Sequence, residues 1–141
     1  MTSHASGRFA ATGDAQSCGF VVRNKTTDAT PVNLGLDGST TRLTIPSGKT
    51  MSGFLIVKGI KSDGSAKARF VRLCDITNVG GTTSLDTAIE AIGTDYNPSG
   101  CTLAVTAENA TDDLQVNITG PAGETWRWTA TFSGLEIAYG V

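Results

Sequence analysis

The sequence predicts an all-β protein, an antiparallel β-sandwich of jelly-roll-like type with an extended N-terminal arm. Three observations carry that expectation. Residues 113–120 and 124–132 alternate apolar and polar side chains at every step, the cadence of strands with one buried face. Short runs of the same kind, separated by Asp-Gly, Gly-Gly and Pro-Ser-Gly turns, recur at regular spacing through most of the chain. Finally, 141 residues suit one domain, and a domain of that size buries roughly 68–70% of the surface its unfolded chain exposes, enough for a core without metal or disulfide staples.

Taken in order, residues 1–17 are rich in Ser, Thr, Ala and Gly without a sustained period, which predicts an extended arm or a partly disordered leader, of the kind that becomes ordered against a partner, and the sandwich is expected over 18–141. A first strand follows Cys18 over 19–24. Pro31 opens a second run over 32–36, which meets Asp37-Gly38, a hairpin signal, with a return strand over 41–45 ended by Pro46-Ser-Gly48. Residues 50–60 form a longer strand in which Phe54, Ile56 and Ile60 share one parity and Met51, Leu55 and Val57 the other, so both faces are expected to meet apolar neighbours.

After the Asp63-Gly64 turn, Ala66, Ala68, Phe70, Cys74 and Ile76 share one face of the next strand, with Lys67, Arg69 and Asp75 on the other. Arg72 breaks the pattern, and Val71 and Leu73 lie on the polar side, a mixed face that predicts a second contact surface. Residues 84–92 are ambiguous, since Leu85, Ala88, Ile89 and Ile92 recur at helical spacing inside Thr-rich flanks; a strand is favoured and a short helix stays open. A loop over 94–100 is expected to expose Tyr96 and Asn97, a possible ligand-facing position. Strands over 101–107, 113–120, 124–132 and 135–139 complete the set. Leu103, Val105, Leu114, Val116, Ile118, Trp126, Trp128, Ala130 and Phe132 have inward parity and should form the densest core.

No catalytic grouping interrupts this pattern. The one histidine, His4, lies in the leader, away from any rigid position where a general base must sit. Asp112 and Asp113 are adjacent, so in a strand they point to opposite faces, and Asp75 and the Asp86/Glu90 pair offer no recognised acid–base arrangement. Asp37-Gly-Ser39 and Asp63-Gly-Ser65 do not continue as calcium loops, and Gly80-Gly81 starts no phosphate cradle. No metal or cofactor is expected. Cys18, Cys74 and Cys101 lack the spacing of metal ligands and are read as buried thiols, with one bridge among them left open. A net charge of −2 and a pI near 5.2 make nucleic acid an unexpected partner. No apolar run is long enough to cross a bilayer, and the first residues lack the apolar centre of a signal peptide. A soluble chain is expected, with no membrane partner.

The combination of Ala5-Ser-Gly-Arg-Phe-Ala10, Gly13-Asp-Ala-Gln16, Val21-Val-Arg-Asn-Lys-Thr-Thr27, Leu34-Gly-Leu-Asp-Gly-Ser39 and Leu43-Thr-Ile-Pro46 resembles a β-rich module of bacteriophage virion proteins. Val57-Lys-Gly-Ile-Lys-Ser-Asp-Gly64, Ile76-Thr-Asn-Val-Gly-Gly-Thr82 and Glu124-Thr-Trp-Arg-Trp128 extend the likeness over nearly the whole chain. The module is similar to those of tail-fibre and particle-surface proteins of phages that infect cyanobacteria and other aquatic bacteria. What the resemblance implies is a non-enzymatic structural protein on the outside of a virion, a homotrimer docked on capsid or tail proteins, assembled in the host cytoplasm. A chain running from Met1 to Val141 is short for a fibre, which points to capsid decoration or cement. In that reading Arg8, Phe9, Val71 and Leu73 are expected at contacts between copies. The alternative is a receptor- or carbohydrate-binding head that meets a host surface glycan, and an enzyme such as a depolymerase ranks third.

Overall fold

The computed structural model describes residues 2–139, and among them there are ten strands and no helix. Seven strands form one antiparallel sheet and three form another. The larger sheet is built on four long strands, β2 (Ala15–Thr26), β10 (Trp126–Ala138), β4 (Lys49–Lys61) and β5 (Lys67–Val79), adjacent in that order. β1 (Thr2–Gly7) lies against the outer side of β2, and β6 (Thr82–Leu85) and β7 (Glu90–Ala91) both pair with β5 at the far edge. The smaller sheet runs β3 (Val32–Asn33), β9 (Asp113–Thr119), β8 (Thr102–Glu108). The chain therefore leaves the large sheet after β2, returns at β4, and places its last strand between the second and fourth. That long-range insertion makes an antiparallel sandwich out of short local alternations.

The core lies between the sheets. Val22, Met51, Leu55, Val57, Phe70, Ile76, Ala130 and Phe132 from the large sheet meet Leu114, Val116 and Ile118 from β9, with Leu34, Leu43 and Ile45 closing one side. Trp126 and Trp128 are fully buried, their rings stacked 5.4 Å apart at 13°. Each indole has its partner: Trp126 Nε1 donates to Glu124 Oε2 at 2.8 Å and Trp128 Nε1 to Thr26 Oγ1 at 3.1 Å. Gly59 sits directly opposite Trp128 in the β4–β10 register, and a Cβ there would lie 2.2 Å from the indole ring. Side chains of the size buried here contribute about 1.5–3 kcal/mol each.

Four expectations are revised. The boundary drawn at 17/18 falls inside β2, whose pairing with β10 already begins at Ala15. Residues 2–7 pair as β1 with their own chain, Thr2 opposite Gly19. Residues 34–45 do not form the hairpin that Asp37-Gly38 suggested: the turn is there, but the Asp37 carboxylate accepts the N–H groups of Ser39 and Thr41, and the flanking segments bridge singly to Arg23 and Asp113. The side-chain bonds and the burial of Leu34, Leu43 and Ile45 hold this stretch as a structured loop. Of the two readings open for residues 84–92, the favoured strand holds in part and no helix is present: β6 ends at Leu85, a bend follows, and β7 resumes the pairing. Residues 135–139 are no separate strand, because β10 runs unbroken to Ala138. All three cysteines are buried and unbridged.

Candidate interaction face

The outer surface of the seven-stranded sheet is where polarity and burial disagree. Registers place its side chains in rows across the strands. One row runs Val21, Thr131, Ile56, Val71, and the next Gly19, Ser133, Phe54, Leu73, with Glu90 of β7 beside Leu73. Val21, Phe54, Ile56 and Leu135 are 52%, 50%, 46% and 49% exposed, and Val71 and Leu73 are half-buried. Among the described residues nothing covers this apolar stripe. An apolar patch rimmed by polar groups is the signature of a contact surface.

On one side of the stripe the face is hydroxylated and acidic. Ser52 donates to Asp75, and Thr77 Oγ1 to Asp86 at 2.8 Å. On the other side it is basic: one row carries Arg23, Thr129, Lys58 and Arg69, and the next Lys25, Arg127, Ile60 and Lys67. Tyr96 extends the first of these rows, since its backbone exchanges two hydrogen bonds with Arg69, of 2.7 and 3.0 Å. Its ring is half exposed, with Lys58 Nζ 5.9 Å from the centroid.

The residues expected at contacts fall in two separate places. Val71 and Leu73 lie in the stripe. Arg8 and Phe9 follow β1 at the opposite edge, with three strands between β1 and β5, so only a second molecule could bring the two pairs together. Phe9 is 70% exposed, held out by a loop whose centre is Asp14. That carboxylate accepts the N–H groups of Phe9, Ala10 and Ala11 at 2.8, 2.6 and 2.8 Å. Burial pushes its pKa up, but these backbone donors outweigh it and hold the group below the usual aspartate range. Asn97 is not free for a ligand. Its side chain donates to the Cys101 carbonyl at 2.7 Å and accepts the Cys101 N–H at 2.8 Å, closing the loop on itself.

Arg72 is the exception on β5 that the sequence exposed. It points to the inner side with a side chain only 14% exposed, and its guanidinium grips the Asp95 carboxylate in two bonds of 2.7 and 2.8 Å. That pairing holds the Asp95 carboxyl below its ordinary range. Two of the carboxylates weighed for acid–base work are likewise tied into the scaffold. Asp112 accepts from Thr83 Oγ1 at 2.7 Å, and Asp113 is buried with Thr111 and Arg42 around it. Among the described residues no three His, Cys, Asp or Glu side chains are placed to hold a metal ion. Among the described residues no helix is long and apolar enough to cross a membrane.

The six cations of the basic rows were missed by sequence reasoning. Outward parity was visible for Lys67, Arg69 and Arg127, but their adjacency depends on β10 lying between β2 and β4, which no local pattern shows.

No family model and no curated protein matches the chain. Among solved structures, the tailspike protein of Acinetobacter phage vB_ApiP_P1 is similar over 97% of this chain and 24% of that one, at 15% identity and a TM-score of 0.44. The chain spans about a quarter of that tailspike's length. A similarity of this degree assigns neither fold nor role.

Proposed function

We propose that the chain is a non-enzymatic structural component of a phage virion, a homotrimeric sandwich displayed on the particle exterior as capsid decoration, cement or a short fibre part. The observation that carries this reading is the apolar stripe of Val21, Phe54, Ile56, Val71, Leu73 and Leu135, uncovered among the described residues, on the outer face of the large sheet. Symmetric assembly would cover it. The resemblance of the sequence to virion surface modules supports the setting. The buried carboxylates support a scaffold role, because Asp14, Asp113 and Glu136 are each bonded within their own chain.

Light scattering on the purified chain should return about three times 14.6 kDa. The double variant Val71→Asp/Leu73→Asp should run as a folded monomer with an unchanged β-type dichroism spectrum. A wild-type monomer at micromolar concentration overturns the trimer; a trimer indifferent to the double variant removes this face from the interface. A second reading, a recognition head for a host surface glycan, is favoured by one observation: the exposed Tyr96 ring beside Lys58 and Arg69.

A further inference from the structure

Six of the chain's eleven Lys and Arg residues stand together on one end of the outer face: Arg23, Lys25, Lys58, Lys67, Arg69 and Arg127. Two pairs are direct cross-strand neighbours of like charge, Lys58 with Arg69 and Lys25 with Arg127. Cross-strand neighbours are about 5 Å apart, second neighbours about 10 Å, and successive rows about 7 Å. All six residues are exposed, and among the described residues none forms an ion pair. Arg23 is braced by bonds to the carbonyls of Leu36 and Asp37, and Lys67 by one to Gly64.

Asp95 and Asp37 border the array, and both are committed elsewhere. Asp95 is clasped by Arg72, and Asp37, in the groove it shares with Arg23, Lys25 and Arg127, caps the N–H groups of Ser39 and Thr41. The concentration of positive charge is therefore local. In a chain of net charge −2, removing six positive charges leaves −8 for everything else (−2 − 6).

Like charges placed opposite each other on a sheet cost stability, so an array of this kind calls for an anionic counterpart. We propose that this end of the face binds an acidic polysaccharide, a chain bearing carboxylate or sulfate groups at intervals. This deepens the glycan-recognition reading and rests on it, while being independent of the trimer. Three features select that ligand class. Thr129 and Thr131 lie among or beside the cations and offer hydroxyl partners. Tyr96 closes one row with a single exposed ring, suited to a sugar face. Single-stranded nucleic acid is instead held on successive aromatic platforms, and these rows have one. A folded acidic protein would need apolar anchors at the centre of its contact, and within the basic rows only Ile60 and Tyr96 are available.

The test is calorimetric titration of the full chain with polygalacturonate and with dextran sulfate, using neutral dextran and oligothymidylate as comparison ligands. Binding to at least one acidic glycan is expected, falling with salt as counterions are released. Lys58→Glu/Arg69→Glu should weaken it by about tenfold or more, whereas Lys58→Arg/Arg69→Lys should retain it. These side chains point to solvent, so both variants should melt as cooperatively as the parent. Equal affinity for neutral dextran, tighter binding of oligothymidylate than of either acidic glycan, no acidic-glycan binding, or indifference to the charge reversal would each overturn the proposal. A trimer that binds no acidic glycan sinks this inference alone; a monomer that binds one sinks the trimer alone.

Discussion

Trp128 shows how one side chain constrains two other positions. Its ring fills the space over Gly59, and its N–H needs Thr26 Oγ1 inside a closed core. Thr26→Val keeps the shape but strands the indole donor, and should cost about 1–3 kcal/mol in urea denaturation. Gly59→Ala places a methyl where the ring already is, so it should cost at least the about 1–3 kcal/mol typical of overpacking, read by the same curve. A denaturation midpoint unchanged by Gly59→Ala would mean that the ring does not lie over Gly59, and one unchanged by Thr26→Val that the indole does not depend on Thr26. The cysteines give a chemical readout of the same core. Burial, then the charge of Asp75, pushes the Cys74 thiol up to about 11. Neither Cys74 nor the other two should react with an aromatic disulfide reagent at pH 8 until denaturant is added, when all three should titrate. The inward parity of both tryptophans was legible in the sequence, because alternation is local. The service of Thr26 to a ring 102 positions away was not.

At the scale of elements, the segment from β6 to Tyr96 behaves as one interrupted edge strand along β5. After β6, Asp86 N–H donates to the Asp75 carbonyl, then β7 pairs, then Ile92 and Tyr96 each donate to β5 carbonyls. Arg72 and Asp95 clip its far end to the inner side of β5. Interruption of an edge in this way discourages pairing with a foreign strand. The sequence signalled Arg72 as a misfit on its face, which was right, but its partner 23 residues on is set by how the edge folds back. The helical spacing of Leu85, Ala88, Ile89 and Ile92 kept a short helix open beside the favoured strand for the same reason: a broken edge leaves apolar residues at irregular intervals, and a short window cannot separate that from a helix turn. The clip has a pH signature. A carboxyl held low in the folded state stabilises above its unfolded pKa, about 3.9, and that contribution is lost as pH falls through the folded value. Asp95 shares this direction with Glu124, which is held down by the Trp126 indole and by Lys61, and with Asp63, held down by Ser65. Melting temperature should therefore be flat above pH 5 and fall below about pH 4. Asp95→Asn should lower the neutral plateau and reduce the acid slope; an unchanged slope would assign the acid loss to the other carboxylates.

For the molecule as a whole, one sheet has two unlike sides, and only one of them answers to folding. On the inner side, Phe70, Cys74 and Ile76 of β5 need only their own strand to declare themselves, whereas β4 is apolar on both parities, and the expectation that both its faces meet apolar neighbours fails for Phe54, Ile56 and Ile60, which stand exposed. On the outer side, Val71 and Leu73 announced a mixed surface, but its division into an apolar stripe and a basic end arises from pairing Lys25 with Arg127 and Lys58 with Arg69, which are 102 and 11 residues apart. Repulsion within the basic end works against the fold, so weakening it should help. Lys58→Thr/Arg69→Thr replaces two opposed cations by residues suited to a strand and should raise stability by about 0.2–1 kcal/mol at low salt. The gain should shrink at high salt, where the repulsion is already screened. The same variant should lose affinity for acidic glycan, separating what the sheet needs from what its surface does. A thermal midpoint that falls equally at low and high salt would show that these side chains are held by packing, and the array would then be no reservoir of unpaired charge.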